Sequence, residues 1–327
     1  MTAVRALVVT NMWPSRERPA LGSFVRDQVQ ALRARDDLEL ELYTFEPGAL
    51  SGYAEAAPAL RRRYGNAGLD VVHAHFGLTA WPARLVRAPV HAVTLHGTDV
   101  MHPRSRVITL AGLPLQDLVG VVSEELAGRV PRWATRGHAP AVLPCGVATD
   151  RFVAGDRAAA RAELGLSPEA PYLLFPADPA RPEKRFDRVQ ALLAALPSDA
   201  PRPQLLTLGA IEPERVPLYV NAADAVVVTS ERESFGLAAL EALACDVPVL
   251  STPVGVAPQA LAGVPETLCA PFDPTVWAAF VSPLLAQAGT EHRIAGGAGR
   301  ARALQYGADA MAGRVVEAWA AQLARRG

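Results

Sequence analysis

Short apolar runs recur along the chain, separated by stretches whose apolar residues fall at helical spacing. The runs Ala6–Thr10, Asp70–Phe76, His91–Leu95, Leu118–Ser123, Tyr172–Pro176, Gln204–Leu208, Ala225–Thr229 and Val247–Leu250 read as strands, most of them continuously apolar, as strands buried on both faces are. Leu38–Phe45 instead alternates acidic and apolar residues. Between the runs, Phe24, Val25, Val29 and Leu32 mark one helix, and further helices are predicted from about Glu124, over Asp156–Leu164, at Val216–Val220, over Gly236–Cys245 and from Leu284 onward. The last is predicted over Met311–Leu323, with Val315, Val316, Trp319 and Leu323 on one face. Pro47–Asn66 is polar and rich in Ala and Arg, and Gly296-Gly-Ala-Gly299, with no strand ahead of it, reads as a turn. Strands alternating with helices predict an α/β chain with parallel sheets.

Length turns that pattern into two units. A chain of 327 residues, 50% of them hydrophobic, can bury two cores. The boundary is expected in the segment Val142–Phe152, giving domains 1–150 and 151–327. A net charge of −1 argues against a nucleic-acid partner. The run Arg61–Arg63 reads as a solvated surface, with an anionic acceptor or a peripheral membrane contact through the first domain as the alternative. Cys145, Cys245 and Cys269 are too far apart for a zinc or disulfide framework, which fits a cytoplasmic protein. No apolar run approaches membrane-spanning length.

Composition also isolates one residue. Of the 32 basic residues Lys184 is the only lysine. Arg and Lys serve solubility equally but differ where a compact point charge is needed, so Lys184 is a candidate site residue.

The candidate chemistry concentrates in Ala225–Pro253, which reads as strand, loop, helix, strand. In the apolar segment Gly236–Cys245 the one charge is Glu241, and a buried carboxylate needs a partner, for which a ligand hydroxyl is one candidate. Glu233 lies in the preceding loop, where the backbone N–H groups of Phe235, Gly236 and Leu237 are available to an anion. The alternative is a solvated Glu233 and a narrow exposed stripe carrying Glu241. In the first half, strands end in His73 and His75 and in His96-Gly-Thr-Asp99, at the carboxyl ends where open α/β sheets place ligands. His73 and His75 admit two readings, hydrogen-bonded strand-end histidines or ligands of a metal-dependent hydrolase. Gly22, at the mouth of the first helix, permits a close backbone approach.

Ser-Glu-Arg-Glu-Ser-Phe-Gly-Leu237, followed by Leu-Glu-Ala-Leu-Ala244 and Val-Pro-Val249, resembles the E-x7-E segment of glycosyltransferase family 4. The resemblance extends to Thr10-Asn-Met-Trp-Pro-Ser15 with its glycine loop at Gly22, to His96-Gly-Thr-Asp99, to Glu183-Lys184 and to the linker Leu-Pro-Cys-Gly-Val147. It implies the GT-B fold, two Rossmann-like doubly wound domains facing a central cleft. It also implies retaining transfer of a sugar from a nucleotide-diphosphate sugar to an acceptor hydroxyl, with no cofactor and no required metal. In that reading Glu233 contacts the donor sugar, Glu241 holds the ribose, and Lys184 with the segment Ser234–Leu237 neutralises the diphosphate. His96 lies against the transferring sugar, and Gly22 and Asp99 belong to the acceptor side. The family's diphosphate Arg is replaced here by Pro179, with Arg181 two residues on, so that either Arg181 reaches the phosphate from a shifted position or Lys184 acts there with less help. Cys145, Ala148, Val256 and Gln259 are further departures. They leave open a nucleotide-sugar-binding protein without transferase activity. Donor sugar, base and acceptor are not implied.

Overall fold

The computed structural model describes residues 3–48, 50–209 and 211–326. The chain divides into two compact units, Met1–Gly146 with Ala308–Gly327, and Val147–Gly307. The division falls a few residues before the expected position at 150. The last helix, counted above within 151–327 but expected from the GT-B resemblance to pack back toward the first domain, belongs to the first unit.

The first unit is built on a six-stranded sheet, β1 (Val4–Thr10), β2 (Leu38–Thr44), β3 (Val71–His75), β4 (Val90–Leu95), β5 (Leu118–Val121) and β6 (Ala141–Val142), in the order β2-β1-β3-β4-β5-β6. All its pairings are parallel. The core explains the continuous apolar runs: Ala6 to Val9 of β1 have no exposed surface, so the strand is covered on both faces. One face is closed by the final helix, Ala308–Ala324, whose Ala312, Val315 and Trp319 pack with Ala6, Leu32, Val71, Val90 and Leu118. That packing, rather than proximity in sequence, places the C-terminal helix in this unit.

The second unit carries β7 (Tyr172–Phe175), β8 (Gln204–Thr207), β9 (Ala225–Val228), β10 (Val249–Ser251) and β11 (Thr267–Cys269) in a five-stranded parallel sheet ordered β11-β10-β9-β7-β8. Its core joins Leu173, Phe175, Val189, Leu192, Val227, Leu250 and Trp277. Both sheets are therefore doubly wound. Each has a switch point where the strand order reverses, between β1 and β3 in the first and between β7 and β9 in the second.

Three predicted elements differ. Pro47–Asn66 contains a helix, Leu50–Tyr64, that bends its rules by carrying Pro58 inside; only Ala56, Leu60 and Tyr64 are buried, too sparse a stripe to stand out among alanines. The helix predicted from Leu284 begins ten residues earlier, spanning Pro274–Leu285 with Asp273 as its cap. Its start is signalled by the Asp-Pro pair, since Asp273 accepts the N–H groups of Thr275 and Val276 and Pro274 lacks one. The glycine turn is confined to Gly296 and Gly297, both left-handed; Gly299 lies inside the helix Ala298–Leu304.

Candidate active site

The site of the second unit grows from the carboxyl ends of β7 and β9, the two strands at the switch point. Open α/β sheets bind ligands there because the connections leave in opposite directions and open a crevice. Lys184 ends the short turn Pro182–Lys184 after β7, and Glu233 lies in the loop after β9. Though 49 residues apart in sequence, they meet: Lys184 Nζ donates to Glu233 Oε1 at 2.6 Å. Each side chain retains 15% of its exposure, so the pair is sheltered but reachable.

The surrounding loops hold this pair by short bonds. Thr229, at the end of β9, donates its hydroxyl to the carbonyls of Lys184 (2.9 Å) and Arg185 (3.1 Å). Ser230 donates to the same Oε1 of Glu233 at 2.7 Å, and the N–H of Glu231 bonds the Glu183 carbonyl at 3.0 Å. Phe175, Pro176, Ala177, Val228 and Ala238 complete a small recess around Lys184 and Glu233. Sequence reading missed Thr229 and Ser230. Their signal was position alone, two hydroxyls closing an apolar strand.

The helix after Glu233 runs Leu237–Ala244 and is capped by Gly236, whose left-handed backbone (φ 88°) offers no side-chain cap. The helix thus starts one residue later than predicted. The N–H groups left without an intrahelical partner at its mouth are those of Gly236, Leu237, Ala238 and Ala239. Phe235 is buried, and its carbonyl accepts the N–H of Val256 at 2.7 Å. Gly255 is required at this contact: a Cβ there would lie 2.2 Å from the Phe235 oxygen. The loop with the substituted Val256 therefore braces the loop carrying Glu233. Ser234 and Glu241 are half-buried. The helix is less enclosed around Glu241 than its composition suggested.

Arg181 stays apart from this cluster. Its guanidinium pairs with Glu183 at 2.6 Å, is 55% exposed, and does not line the recess. Pairing with the nearer carboxylate in its own turn holds it there.

The first unit assembles a separate polar group at the carboxyl ends of β1, β3 and β4. Asp99, fully buried, accepts the N–H groups of His96 (3.0 Å), Gly97 (2.8 Å) and Gly77 (3.2 Å). Burial raises its carboxyl to a pKa of about 6, against the opposing pull of these N–H donors. Asp99 thereby fixes the backbone of His96 rather than facing outward. His96 reaches His75 at 3.0 Å and packs its ring on Phe24. Gly22 precedes the helix Ser23–Arg33 with φ 65°, and a Cβ on it would sit 2.2 Å from the Met12 carbonyl. Only glycine lets that loop fold onto the end of β1.

The hydrolase reading of His73 and His75 loses its ligands to this geometry. His73 uses both ring nitrogens within the fold, Nδ1 accepting from Trp319 and Nε2 meeting Thr94. Among the described residues no group of three His, Cys, Asp or Glu side chains is placed to hold a metal ion. No helix among them is long and apolar enough to cross a membrane.

Comparison with known proteins agrees with both halves of this description. Residues 8–151 match the model of Glycosyltransferase Family 4, and residues 161–299 that of Glycosyl transferases group 1. The D-inositol 3-phosphate glycosyltransferase of Geodermatophilus obscurus is 31% identical over 308 residues, an alignment covering 77% of this chain and 66% of that one. The chain thus spans about two thirds of that relative's length. The enzyme of the same name from Actinosynnema mirum is 31% identical over 312 residues, covering 80% of this chain and 75% of that one. Among solved structures, sucrose-phosphate synthase from Thermosynechococcus elongatus superposes with a TM-score of 0.75 at 20% identity, over 99% of this chain and 100% of that one. Anabaena HepE in complex with UDP gives 0.70 at 15% identity, over 97% and 100%. These likenesses show the GT-B fold. With its strand-end Lys184–Glu233 pair on that fold and both halves matched, the chain belongs to the glycosyltransferase family 4, group 1 enzymes.

Proposed function

We propose that the protein is a retaining glycosyltransferase that moves a sugar from a nucleoside-diphosphate sugar to an acceptor hydroxyl without a required metal ion. The observation that carries this reading is the Lys184–Glu233 pair at the switch point between β7 and β9. Nζ has three N–H bonds, and Glu233 is the acceptor it reaches among the described residues, so further bonds can go to a phosphate. The uncapped helix mouth at Leu237–Ala239 adds backbone donors and the positive end of the helix dipole. Together they stabilise the negative charge that builds on the departing nucleoside diphosphate, which is where a transferase gains most.

Glu233, held by Lys184 and Ser230, orients donor-sugar hydroxyls. Glu241 takes the ribose, and His96 contacts the transferring sugar. No carboxylate is assigned as a nucleophile. Retention then follows a front-face path: the leaving phosphate oxygen accepts the acceptor's hydroxyl proton as the new glycosidic bond forms on the face the diphosphate leaves. HepE was captured with UDP and with UDP-glucose, and close relatives are named for D-inositol 3-phosphate, so these are the first donor and acceptor to test.

The test is release of nucleoside diphosphate from UDP-, GDP-, ADP- and dTDP-sugars with and without EDTA, with the product anomer read by NMR. Turnover that survives EDTA, retains the donor's anomeric configuration and falls roughly 100-fold or more in Glu233→Gln is expected. Donor binding without transfer to any acceptor would replace this reading by that of a nucleotide-sugar-binding protein. An inverted product would remove the front-face path.

A further inference from the structure

The first unit contains a buried run of imidazoles that the reading above uses only at its last member. His73 and His75 lie two residues apart on β3 and so share a face of the sheet. Their rings stack with centroids 4.9 Å apart and planes 13° from parallel. His75 in turn lies 5.2 Å from His96 at 21°. Trp319, from the final helix, closes the other end edge-on to His73. The order in space is Trp319, His73, His75, His96.

Elementary donor and acceptor rules assign protons along this run. An indole N–H can only donate, so His73 Nδ1, 3.1 Å from Trp319 Nε1, carries a lone pair. Neutral His73 then holds its proton on Nε2, which donates to Thr94 Oγ1 at 2.8 Å. Desolvation by burial disfavours the charged form of all three histidines, bringing His75 to about 4. Two neutral rings, His75 and His96, therefore share one proton between Nδ1 and Nε2 at 3.0 Å. The nitrogen of His96 that faces His75 settles the state of the other one. That other atom, Nδ1, is buried and has no hydrogen-bond partner among the described residues. A buried polar atom in this condition is a free-energy cost unless a ligand meets it.

We propose that His75 is a positioning residue for the transfer: its Nδ1 holds His96 in one tautomer and one ring orientation, so that His96 Nδ1 meets the substrate with a fixed hydrogen-bonding role. Trp319 and Thr94 fix the proton and orientation of His73, and His73 holds the ring of His75 in turn by stacking. The backbone of His96 is already fixed by Asp99, and His75 supplies the remaining constraint, on the side chain. The catalytic consequence rests on the proposed contact between His96 and the transferring sugar.

Two measurements test it. The first is ¹⁵N-resolved NMR of the histidine rings, which reports tautomers whether or not the enzyme turns over. A single His96 tautomer is expected in the wild type, a mixture in His75→Phe, and a single tautomer again in His75→Asn, whose side-chain amide can take the place of the imidazole Nδ1. A mixture in the wild type, or no change in His75→Phe, overturns the proposal, and should the Phe variant not fold, the Asn variant is compared with His75→Leu.

The second is kinetic. His75→Phe should lower kcat by about 10-fold or more with the donor KM little changed, and His75→Asn should recover most of it. His96→Ala, run beside them, separates the failures. Full activity in His96→Ala would sink the contact with the sugar, whereas loss there with His75→Phe unaffected would sink the role of His75 alone.

Discussion

The strands β7 and β9 carry an ionic cluster at each end, and the two clusters are built to opposite specifications. At the amino end Asp224, just before β9, accepts Arg157 at 3.0 Å, Arg161 at 2.9 Å and the N–H of Tyr172, the first residue of β7, at 2.7 Å. All three charged side chains are at most 2% exposed. Further donors of the two arginines go to backbone carbonyls, Arg157 to Thr290 and Arg161 to Ala222 and Pro168. At the carboxyl end of the same strands, Lys184 and Glu233 share one short bond and keep partial exposure. Dense pairing among deeply buried groups at one end gives a fixed junction of strands and helices, and spare hydrogen-bonding capacity at a partly exposed pair at the other leaves room for a ligand.

The largest effect expected from breaking this contrast is at Asp224. Replacing it by Ala strands two buried guanidinium groups, at a cost of about 3–5 kcal/mol. Urea unfolding measures this, and a loss below about 1 kcal/mol would show that the backbone carbonyls suffice without it.

The buried histidines of the first unit are expected to weaken the fold as acid is added. His75 titrates near 4 in the folded protein against an ordinary 6.5, because burial disfavours its charged form. A depressed folded value means the contribution is intact above pH 6.5 and is lost as pH falls through 4, about 3 kcal/mol for His75 alone. His73 and His96 shift in the same direction. Asp99 works against them: raised to about 6, it favours the folded state most below its ordinary 3.8 and loses that contribution as pH rises through 6. Three histidines against one carboxylate predict a Tm that falls between pH 6.5 and 4. Calorimetry should show a shallower fall in His75→Phe, and an unchanged slope would mean that other groups carry the acid sensitivity.

The smallest effects separate the two cations near the second site. Lys184→Ala is expected to weaken nucleoside-diphosphate affinity roughly 10- to 100-fold, the worth of a charge-assisted bond, with little change in Tm. Arg181→Ala, which removes an exposed pair with Glu183, should stay within about 1 kcal/mol in stability and alter affinity less than about threefold. Titration calorimetry with UDP compares them. An Arg181 effect as large as that of Lys184 would mean that Arg181 leaves Glu183 for the phosphate when ligand binds.

Part of the candidate site was legible in the sequence. Lys184 stood out as the single lysine, and Glu233 and Glu241 as carboxylates spaced about an apolar helix, because charges that composition does not explain need a local reason. Thr229 and Ser230 were not legible, since hydroxyls closing a strand are common and only the folded loop shows what they hold. The helix Leu50–Tyr64 was obscured by alanines and an internal proline. The role of Arg181 stayed open in sequence, because a side chain two positions from the family's arginine can turn either way, and the structure turns it toward Glu183.

The sequence by itself determined the class of fold and the strand ends that carry chemistry. Apolar runs long enough for strands, alternating with helical spacing, have few other ways to bury their surface. Tertiary structure alone decided which distant groups meet. Lys184 and Glu233 pair across 49 residues because strand order brings β7 beside β9. Trp319 reaches His73 across 246 residues because the final helix packs on the first unit. Hydrophobic periodicity says which face of an element is buried but not against what, and it is the neighbour that sets the proton on a histidine or the partner of a carboxylate.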